Sequence, residues 1–232
     1  MRHSCLSRIL RVRPEGFYEG EAHQVLPNRK NMNWNARRVL ITGGASFIGS
    51  HLTDALVARG AQIRILDDLS SGRLENIQKH LRSPLVEFIR ADLLTPGVAQ
   101  SVVNEMEIVF HLAANHGGRG YLEMHQAACA TNLALDGMLF HACYAANVEK
   151  VIYASSGCVY PNYLQDDPQK VVYLNEDTVG PPYDADNMYG WAKLMGEMTL
   201  RAYYRDWGMK SASCWYSRRT ARANTSTMRS SL

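Results

Sequence analysis

A glycine-rich segment constrains the fold of this chain more than any other feature. Residues 42–49, TGGASFIG, follow an apolar, β-branched run at 39–41 and precede residues with helical spacing. A strand, a glycine turn and an opening helix direct backbone N–H groups and the positive end of the helix dipole to one point, where they bind a diphosphate. Gly43 permits the tight turn, and Gly49 lets the helix lie close to the sheet. The segment therefore predicts a dinucleotide-binding strand–turn–helix unit.

Short strands alternate with helices over most of the chain. The β-branched runs predict strands at 39–41, 63–66, 86–89, 108–112 and 151–153, and helical spacing predicts helices at about 48–59, 122–146 and 188–206. This alternation is typical of βαβ units and predicts an α/β fold with a doubly wound parallel sheet. We expect this domain over residues 37–216, a disordered leader over 1–36 and a disordered tail over 217–232.

Composition and charge exclude several classes of protein. With 46% hydrophobic and 20% charged residues, the chain has a globular composition. The net charge of +3 arises from basic ends, whereas the region between them is acidic, so we expect no nucleic acid partner. No apolar run reaches the roughly 18 residues that span a bilayer, which argues against a membrane protein. The five cysteines form no CxxC pair, so we expect a cytoplasmic, reducing location and no structural metal.

An acidic pair follows the second predicted strand. Asp67 and Asp68 come eighteen residues after Gly49. A carboxylate at this place accepts hydrogen bonds from both hydroxyls of an adenosine ribose and repels a 2′-phosphate. Asp67 therefore favours NAD over NADP as the cofactor.

The glycine segment resembles the TGxxGxxG loop of the extended short-chain dehydrogenase/reductase family, which includes nucleotide-sugar epimerases and dehydratases. The similarity covers about residues 38–216 and implies a Rossmann fold that binds NAD. Ser46 stands where the family has its middle glycine, so its side chain either crowds the pyrophosphate or bonds to it. The cofactor residues that the resemblance implies are Gly43, Ser46, Phe47, Ile48, Gly49, Asp67, Asp92, Leu93, Leu112, Ala113, Ala114, Tyr189 and Lys193.

A catalytic group is predicted from two segments. Tyr189 and Lys193 are four residues apart and so share one face of a helix. A phenol has a pKa near 10, and the Lys193 cation beside it, aided by the positive nicotinamide of the cofactor, is expected to lower that value toward a working base. The segment ASSGCVYP at 154–161 is similar to the SSxxVY segment of the family, in which Ser156 binds the reacting oxygen.

Residues 157 and 158 separate the subfamilies. The 4,6-dehydratases of the family carry an Asp-Glu pair at this place, whereas this chain has Gly157 and Cys158. ASSGCVYP instead resembles the segment of GDP-mannose 3,5-epimerases in which the cysteine is an acid/base, although Cys158 as a small buried apolar side chain is the alternative. The segment 115–120, NHGGRG, resembles their substrate loop, which implies substrate contacts from Gly117, Gly118, Arg119 and Ser156.

Three functions remain open. The first is an NAD-dependent nucleotide-sugar epimerase that oxidises the sugar transiently at its 4-position, with a homodimer as the full-length form. The second is a UDP-sugar 4-epimerase, which needs no acid/base at Cys158. The third is an NAD-binding or redox-sensing module without catalytic activity.

The tail departs from the resemblance. Residues 216–232 read YSRRTARANTSTMRSSL, whereas the family continues with a segment like RYxxxYGPR and a substrate domain. One nucleotide sequence encodes YLSPYGPREHEHHAVIA and, after deletion of a single C, this tail. We therefore expect a frameshift near the codon of Tyr216 and a missing substrate domain, with no epimerase activity in the chain alone. Sequencing the gene through that codon tests the expectation, because an intact second frame must be present.

Overall fold

The computed structural model describes residues 32–165, 174 and 178–214. The predicted tail at 217–232 and all but the last five residues of the predicted leader lie outside these residues. Within the described part, no helix combines the length and the hydropathy that crossing a membrane requires.

The described residues form a single parallel sheet with helices between its strands. The strands are β1 (Arg38–Thr42), β2 (Gln62–Asp67), β3 (Val86–Arg90), β4 (Ile108–His111), β5 (Lys150–Ala154) and β6 (Ser211–Cys214). The helices are α1 (Phe47–Val57), α2 (Val98–Val103), α3 (Arg119–Met124), α4 (Gln126–Ala145) and α5 (Asn187–Trp207). The strand order is β3-β2-β1-β4-β5-β6, and every pairing is parallel. The predicted doubly wound α/β fold is confirmed.

Strand β6 is added to the five predicted strands, and the helices differ from the predicted pattern in two places. The helix expected over 122–146 is interrupted at His125, whose φ of −118° and ψ of 47° end α3 and precede α4. The His125 ring stacks on Tyr121 at a centroid distance of 4.2 Å and bonds to the Tyr121 carbonyl, which stabilises the interruption. Helix α2 was not predicted, because its six residues are too few to show a clear period.

The sheet is buried on both faces, which explains the continuous apolar runs of its strands. In β1, Val39 and Ile41 belong to one buried cluster, whereas Leu40 between them belongs to the other. Successive side chains of a strand point to opposite faces, so each face needs its own apolar layer.

The strand order reverses between β1 and β4. From β1 the chain proceeds to β2 and β3 on one side, and then returns to β4 on the other side. Ligands of open α/β sheets bind in the crevice at the carboxyl ends of the strands at such a reversal. The ends of β1 and β4, at Thr42 and His111, therefore mark the place of the site.

Helix α5 approaches β5 very closely at Gly196. A Cβ atom at this position would lie 2.4 Å from the Tyr153 hydroxyl and 2.8 Å from a carboxylate oxygen of Asp136. Such distances are far below van der Waals contact, so only glycine allows this packing. Gly137 in α4 offers the opposite case, since a Cβ there would have no neighbour within 4 Å.

Alanine at these two helical glycines is expected to act in opposite directions. Gly196→Ala should destabilise the fold by about 1–3 kcal/mol, because the added methyl group overfills a packed contact. Gly137→Ala should stabilise it by about 0.5–1 kcal/mol, because alanine loses less backbone entropy in a helix. Urea unfolding of the two variants measures both effects. Equal stabilisation by the two substitutions would contradict the close approach of α5 to β5.

Candidate functional site

The glycine turn after β1 brings two backbone segments together. Gly43 has a φ of +69°, and its N–H donates to the carbonyl of Leu66 at 2.8 Å. A Cβ atom on Gly43 would lie 2.9 Å from the backbone nitrogen of Ala113. A side chain at this position would therefore fill the gap between the ends of β1 and β4. The turn leaves a cradle of backbone at the predicted diphosphate position.

Ser46 and Gly49 hold this turn against α1. The Ser46 hydroxyl donates to the Gly43 carbonyl at 2.6 Å, so it is bonded within the loop. A Cβ atom on Gly49 would lie 2.4 Å from the same carbonyl oxygen, which confirms that close packing requires glycine there. The Ser46 side chain thus fixes the loop, a role that the sequence did not predict.

Asp67 is buried at the end of β2 and bonds to the glycine turn. One carboxylate oxygen accepts the N–H of Ala45 and the other accepts the N–H of Leu69, both at 2.9 Å. Burial raises the pKa of Asp67, and these two hydrogen bonds oppose the shift. A carboxylate offers about four lone-pair sites, so two remain for a ribose.

A cleft of about 190 Å³ lies above the ends of β1–β4. The predicted cofactor residues among its walls are Gly43, Ser46, Asp67, Asp92, Leu93, Leu112, Ala113 and Ala114. Asn115 and His116 from the next loop also line it. Phe47 and Ile48 lie outside its walls with exposed side chains, so their contact with a cofactor stays a prediction.

Asn132 holds the loop after β4. Its side-chain oxygen accepts the N–H of Asn115 at 2.7 Å, and its amide donates to the Asn115 carbonyl at 2.9 Å. The Tyr121 hydroxyl donates to the Asn115 side chain at 3.0 Å. On the other side of the cleft, Asp92 accepts the N–H of Leu94 at 2.8 Å and so shapes its own turn. These contacts position the cleft walls.

The segment after β5 lies directly against the start of α5. The N–H of Cys158 donates to the Ser156 hydroxyl at 3.1 Å, and the Cys158 carbonyl accepts the N–H of Asp186 at 2.9 Å. A Cβ atom on Gly190 would lie 2.4 Å from the Cys158 carbonyl oxygen. Gly190 is thus required for this contact, and the sequence did not single it out. The arrangement brings Ser156 and Cys158 beside the Tyr189 turn.

The pKa of Tyr189 is raised in the chain without a cofactor. Burial raises it to about 12, the charge of Cys158 adds to the increase, and a hydrogen bond with Ser156 opposes it. The Lys193 ammonium lies 5.9 Å from the centroid of the Tyr189 ring and 4.6 Å from that of Tyr153. The Tyr189 phenol is therefore protonated at neutral pH in this state, and the decrease expected from Lys193 together with a bound nicotinamide stays a prediction.

A buried polar cluster beneath Tyr189 was also not predicted. Lys193 is 1% exposed and shares this interior with the carboxylates of Asp136 and Glu197. The Glu197 carboxylate accepts the Ser155 hydroxyl, and the Asp136 carboxylate accepts that of Tyr153. Lys193 and Glu197 are neighbours on α5, but Asp136 lies far from them in the sequence and shares no motif with them, so only the fold reveals the cluster.

Arg119 lies on the open side of the site. Its guanidinium donates to Glu123 at 3.0 Å within α3, and its side chain is 64% exposed. The hydrogen bond to Glu123 raises its pKa, and Asp186 and Cys158 add to this effect through their charges. Gly118 precedes α3 with open space around it. At Gly117 a Cβ atom would lie 2.6 Å from the Tyr121 ring, so this glycine allows the loop to pass that ring.

Comparison with family models places this chain among known proteins. Residues 39–228 match the model of the NAD dependent epimerase/dehydratase family. The chain belongs to this family. Its cofactor is the NAD that the sequence predicted, and the resemblance to nucleotide-sugar epimerases and dehydratases is confirmed at this level.

Three similar proteins show the range of activities within the family. The chain is 31% identical over 199 residues to GDP-mannose 3,5-epimerase 1 of Oryza sativa subsp. indica, which covers 84% of this chain and 48% of that protein. It is 42% identical over 169 residues to UDP-glucuronic acid decarboxylase 4 of Arabidopsis thaliana. That match covers 72% of this chain and 36% of the relative. The structure of UDP-glucose 4-epimerase from Thermus thermophilus in complex with NAD has a TM-score of 0.64 and 31% identity over 76% of this chain and 53% of that one. The chain spans about half, or less, of the length of the curated relatives it matches.

Loss of the Tyr189 hydroxyl is expected to make this family member more resistant to alkali. A folded-state pKa of about 12, above the unfolded value near 10, gives stability below pH 10 that is lost as the pH rises toward 12. Between pH 9 and pH 12, the free energy of unfolding of Tyr189→Phe should therefore fall by about 2 kcal/mol less than that of the parent. Urea unfolding at several pH values measures this.

Tyr163→Phe is the matched control, because the Tyr163 side chain is half exposed. It should follow the parent at every pH. A Tyr189→Phe curve parallel to that of the parent would contradict the raised pKa.

Proposed function

We propose that this chain forms the cofactor-binding part of a nucleotide-sugar epimerase similar to GDP-mannose 3,5-epimerases. The observation that carries the proposal is the juxtaposition of Ser156 and Cys158, after the carboxyl end of β5, with Tyr189 in the first turn of α5. Family membership supports NAD as the group bound in the cradle. The substrate rests on the likeness of the 154–161 segment and on the relatives.

The residues of the cleft fit NAD. The cradle between Gly43 and Ala113 leaves room that a Cβ atom would occupy. The two remaining lone-pair sites of Asp67 suit two ribose hydroxyls, and Asp92 and Leu93 line the same cleft. When bound, NAD accepts a hydride from the sugar and later returns it, so there is no net oxidation.

Each side chain then has a separate task. Tyr189 takes the proton of the sugar 4-hydroxyl and later returns it. Ser156 accepts the Cys158 N–H and is hydrogen-bonded to Tyr189 in the chain alone; with substrate bound, its hydroxyl donates to the reacting oxygen and stabilises the developing charge there. Oxidation at the 4-position acidifies the adjacent C–H bonds, and Cys158 moves a proton at that carbon. In the chain without cofactor, Tyr189 is protonated. To act as a base it therefore requires additional positive charge nearby.

A UDP-sugar 4-epimerase is the second candidate. The similarity to the Thermus thermophilus UDP-glucose 4-epimerase supports it, and its chemistry needs no proton transfer by Cys158. One relative is named as a UDP-glucuronic acid decarboxylase, so UDP-glucuronic acid is a third substrate to test.

A homodimer is our proposal for the longer form. Leu133 of α4 and Met195 of α5 are each 43% exposed, and both line one shallow depression between these helices. Exposed apolar side chains on adjacent helices are typical of an association surface. Cytoplasmic location stays a prediction.

The preference for NAD is expected to depend on Asp67. The chain should bind NAD more tightly than NADP, and Asp67→Asn should reduce the ratio of the two affinities by about tenfold, because an uncharged side chain no longer repels a 2′-phosphate. Isothermal titration calorimetry with NAD and with NADP measures the ratio. The ratio remains informative even where the substitution weakens the binding of both cofactors.

Asp206→Asn is the control for this experiment. Asp206 is exposed near the end of α5, pairs with Arg205 and lies outside the walls of the cleft, so its loss should leave the ratio unchanged. Equal binding of NAD and NADP by the parent would refute the assignment of Asp67.

The two epimerase candidates are distinguished by Cys158→Ser in a form of the protein that also carries the part present in its longer relatives. A 3,5-epimerase takes up deuterium from D₂O into the carbon skeleton of GDP-mannose, and the variant should lose this by about 10²–10⁴-fold, as is usual for acid–base groups. Mass spectrometry of the sugars measures the uptake. Turnover of UDP-glucose without deuterium uptake, unaffected by the substitution, would establish the second candidate instead.

A further inference from the structure

A chain of hydrogen bonds connects the cleft wall to the buried carboxylate of Asp136. The Ala113 N–H donates to the Thr42 hydroxyl oxygen at 3.2 Å, and this hydroxyl lies 2.7 Å from Nδ1 of His111. Nε2 of His111 lies 2.9 Å from Oδ1 of Asp136. The Tyr153 hydroxyl donates to the second oxygen of Asp136. The chain thus begins at a backbone amide of the cleft and ends in the interior.

The chemistry of these groups fixes the direction of every bond. Burial alone would raise the pKa of Asp136, but Lys193, His111 and Tyr153 together lower it, so the carboxylate is ionised and only accepts. Nε2 of His111 must therefore carry a hydrogen. Burial lowers the pKa of His111, so the ring is neutral, Nδ1 is bare and the Thr42 hydroxyl donates to it.

The same carboxylate provides charge for Lys193. Burial lowers the pKa of this lysine, whereas the charges of Asp136 and Glu197 raise it. A buried ammonium without such partners would lose its proton, because desolvation of the charge is costly. Asp136 lies on α4, so it acts on Lys193 from a different element than Glu197, which belongs to α5 with Lys193 itself.

We propose that Asp136 is a positioning residue for Lys193 and for the cleft wall. It holds the lysine in its ammonium form toward Tyr153, and through His111 it orients the hydroxyl that receives the Ala113 amide. The role in catalysis rests on the proposed function, but both effects exist in the chain without substrate.

Several other titratable groups face Lys193 and enter the interpretation of its titration. Tyr153 of β5 lies below its ammonium, and Tyr189 and Glu197 are on α5. His111 of β4 and His116 of the following loop each have a pKa that burial lowers first and the lysine charge lowers further. The variants at position 136 leave all of these groups in place.

The unmodified chain provides the first measurement. Nitrogen NMR of ¹⁵N-histidine, with His111 assigned by the signal missing from His111→Gln, is expected to show a neutral ring with its hydrogen on Nε2 at neutral pH, and a pKa below the ordinary histidine value. A ring that titrates with an ordinary histidine pKa, or carries its hydrogen on Nδ1, overturns the proposal without any variant at position 136.

Two substitutions then separate charge from hydrogen bonding. In Asp136→Asn, the amide oxygen still accepts from His111 and the amide N–H donates to Tyr153, so the His111 tautomer should persist. The titration midpoint of Lys193, followed by its ¹³Cε shift, should nevertheless fall by about one pH unit or more. Asp136→Ala should lower the midpoint as well and, in addition, give a mixture of His111 tautomers.

Cofactor binding adds an independent readout. Calorimetry should give a weaker NAD affinity in Asp136→Ala by about tenfold, with partial recovery in Asp136→Asn. Asp54→Asn is the control, because this surface carboxylate of α1 pairs with Lys79 and His80 and should change neither signal nor affinity. A chain that binds no NAD refutes the proposed function and leaves the NMR test intact. If the parent binds NAD but Asp136→Asn leaves the titration midpoint of Lys193 unchanged, the positioning role is refuted.

Discussion

The burial of one ammonium group determines how this site is built. Lys193 lies in the interior between α5 and the sheet, where an isolated cation would lose its proton. The structure surrounds it with two carboxylates from different helices and the face of the Tyr153 ring. Each carboxylate in turn receives a hydroxyl group, that of Tyr153 or that of Ser155, and Arg201 pairs with Glu197 at 3.5 Å, so that two cations face two carboxylates. Replacing one of these groups therefore affects all the others.

This interior needs glycine at its points of closest contact. Gly196 allows Tyr153 and Asp136 to reach α5, and Gly190 allows the Cys158 carbonyl to reach the first turn of the same helix. At the opposite side of the site, Gly43 lets the end of β1 approach Ala113. At each of these positions, a Cβ atom would collide with the backbone or with a rigid polar group. The site is thus shaped as much by close backbone approach as by its reactive side chains.

The sequence was sufficient where the signal is local. Periodicity located five strands, and the glycine segment with Asp67 located the cleft, because these features depend on neighbours in the chain. The break at His125 escaped prediction, since helical spacing continues across it. The interior around Asp136 escaped as well, because it joins residues from four elements that become adjacent only when the sheet forms. The raised pKa of Tyr189 in the chain without a cofactor escaped for the same reason, since it depends on burial by elements distant in the sequence.

The geometry around Cys158 has a consequence for substrate choice within the family. The Ser156 hydroxyl and the Asp186 N–H hold this segment through the backbone of Cys158, not through its thiol. Gly190 adds a contact that also involves the Cys158 carbonyl. Since the described backbone contacts do not involve the side chain, residue 158 can change while Ser156 and Tyr189 keep their places. Under the proposed function, residue 158 is the group presented to the carbon beside the oxidised position, so it can vary independently of Ser156 and Tyr189, which handle the oxygen.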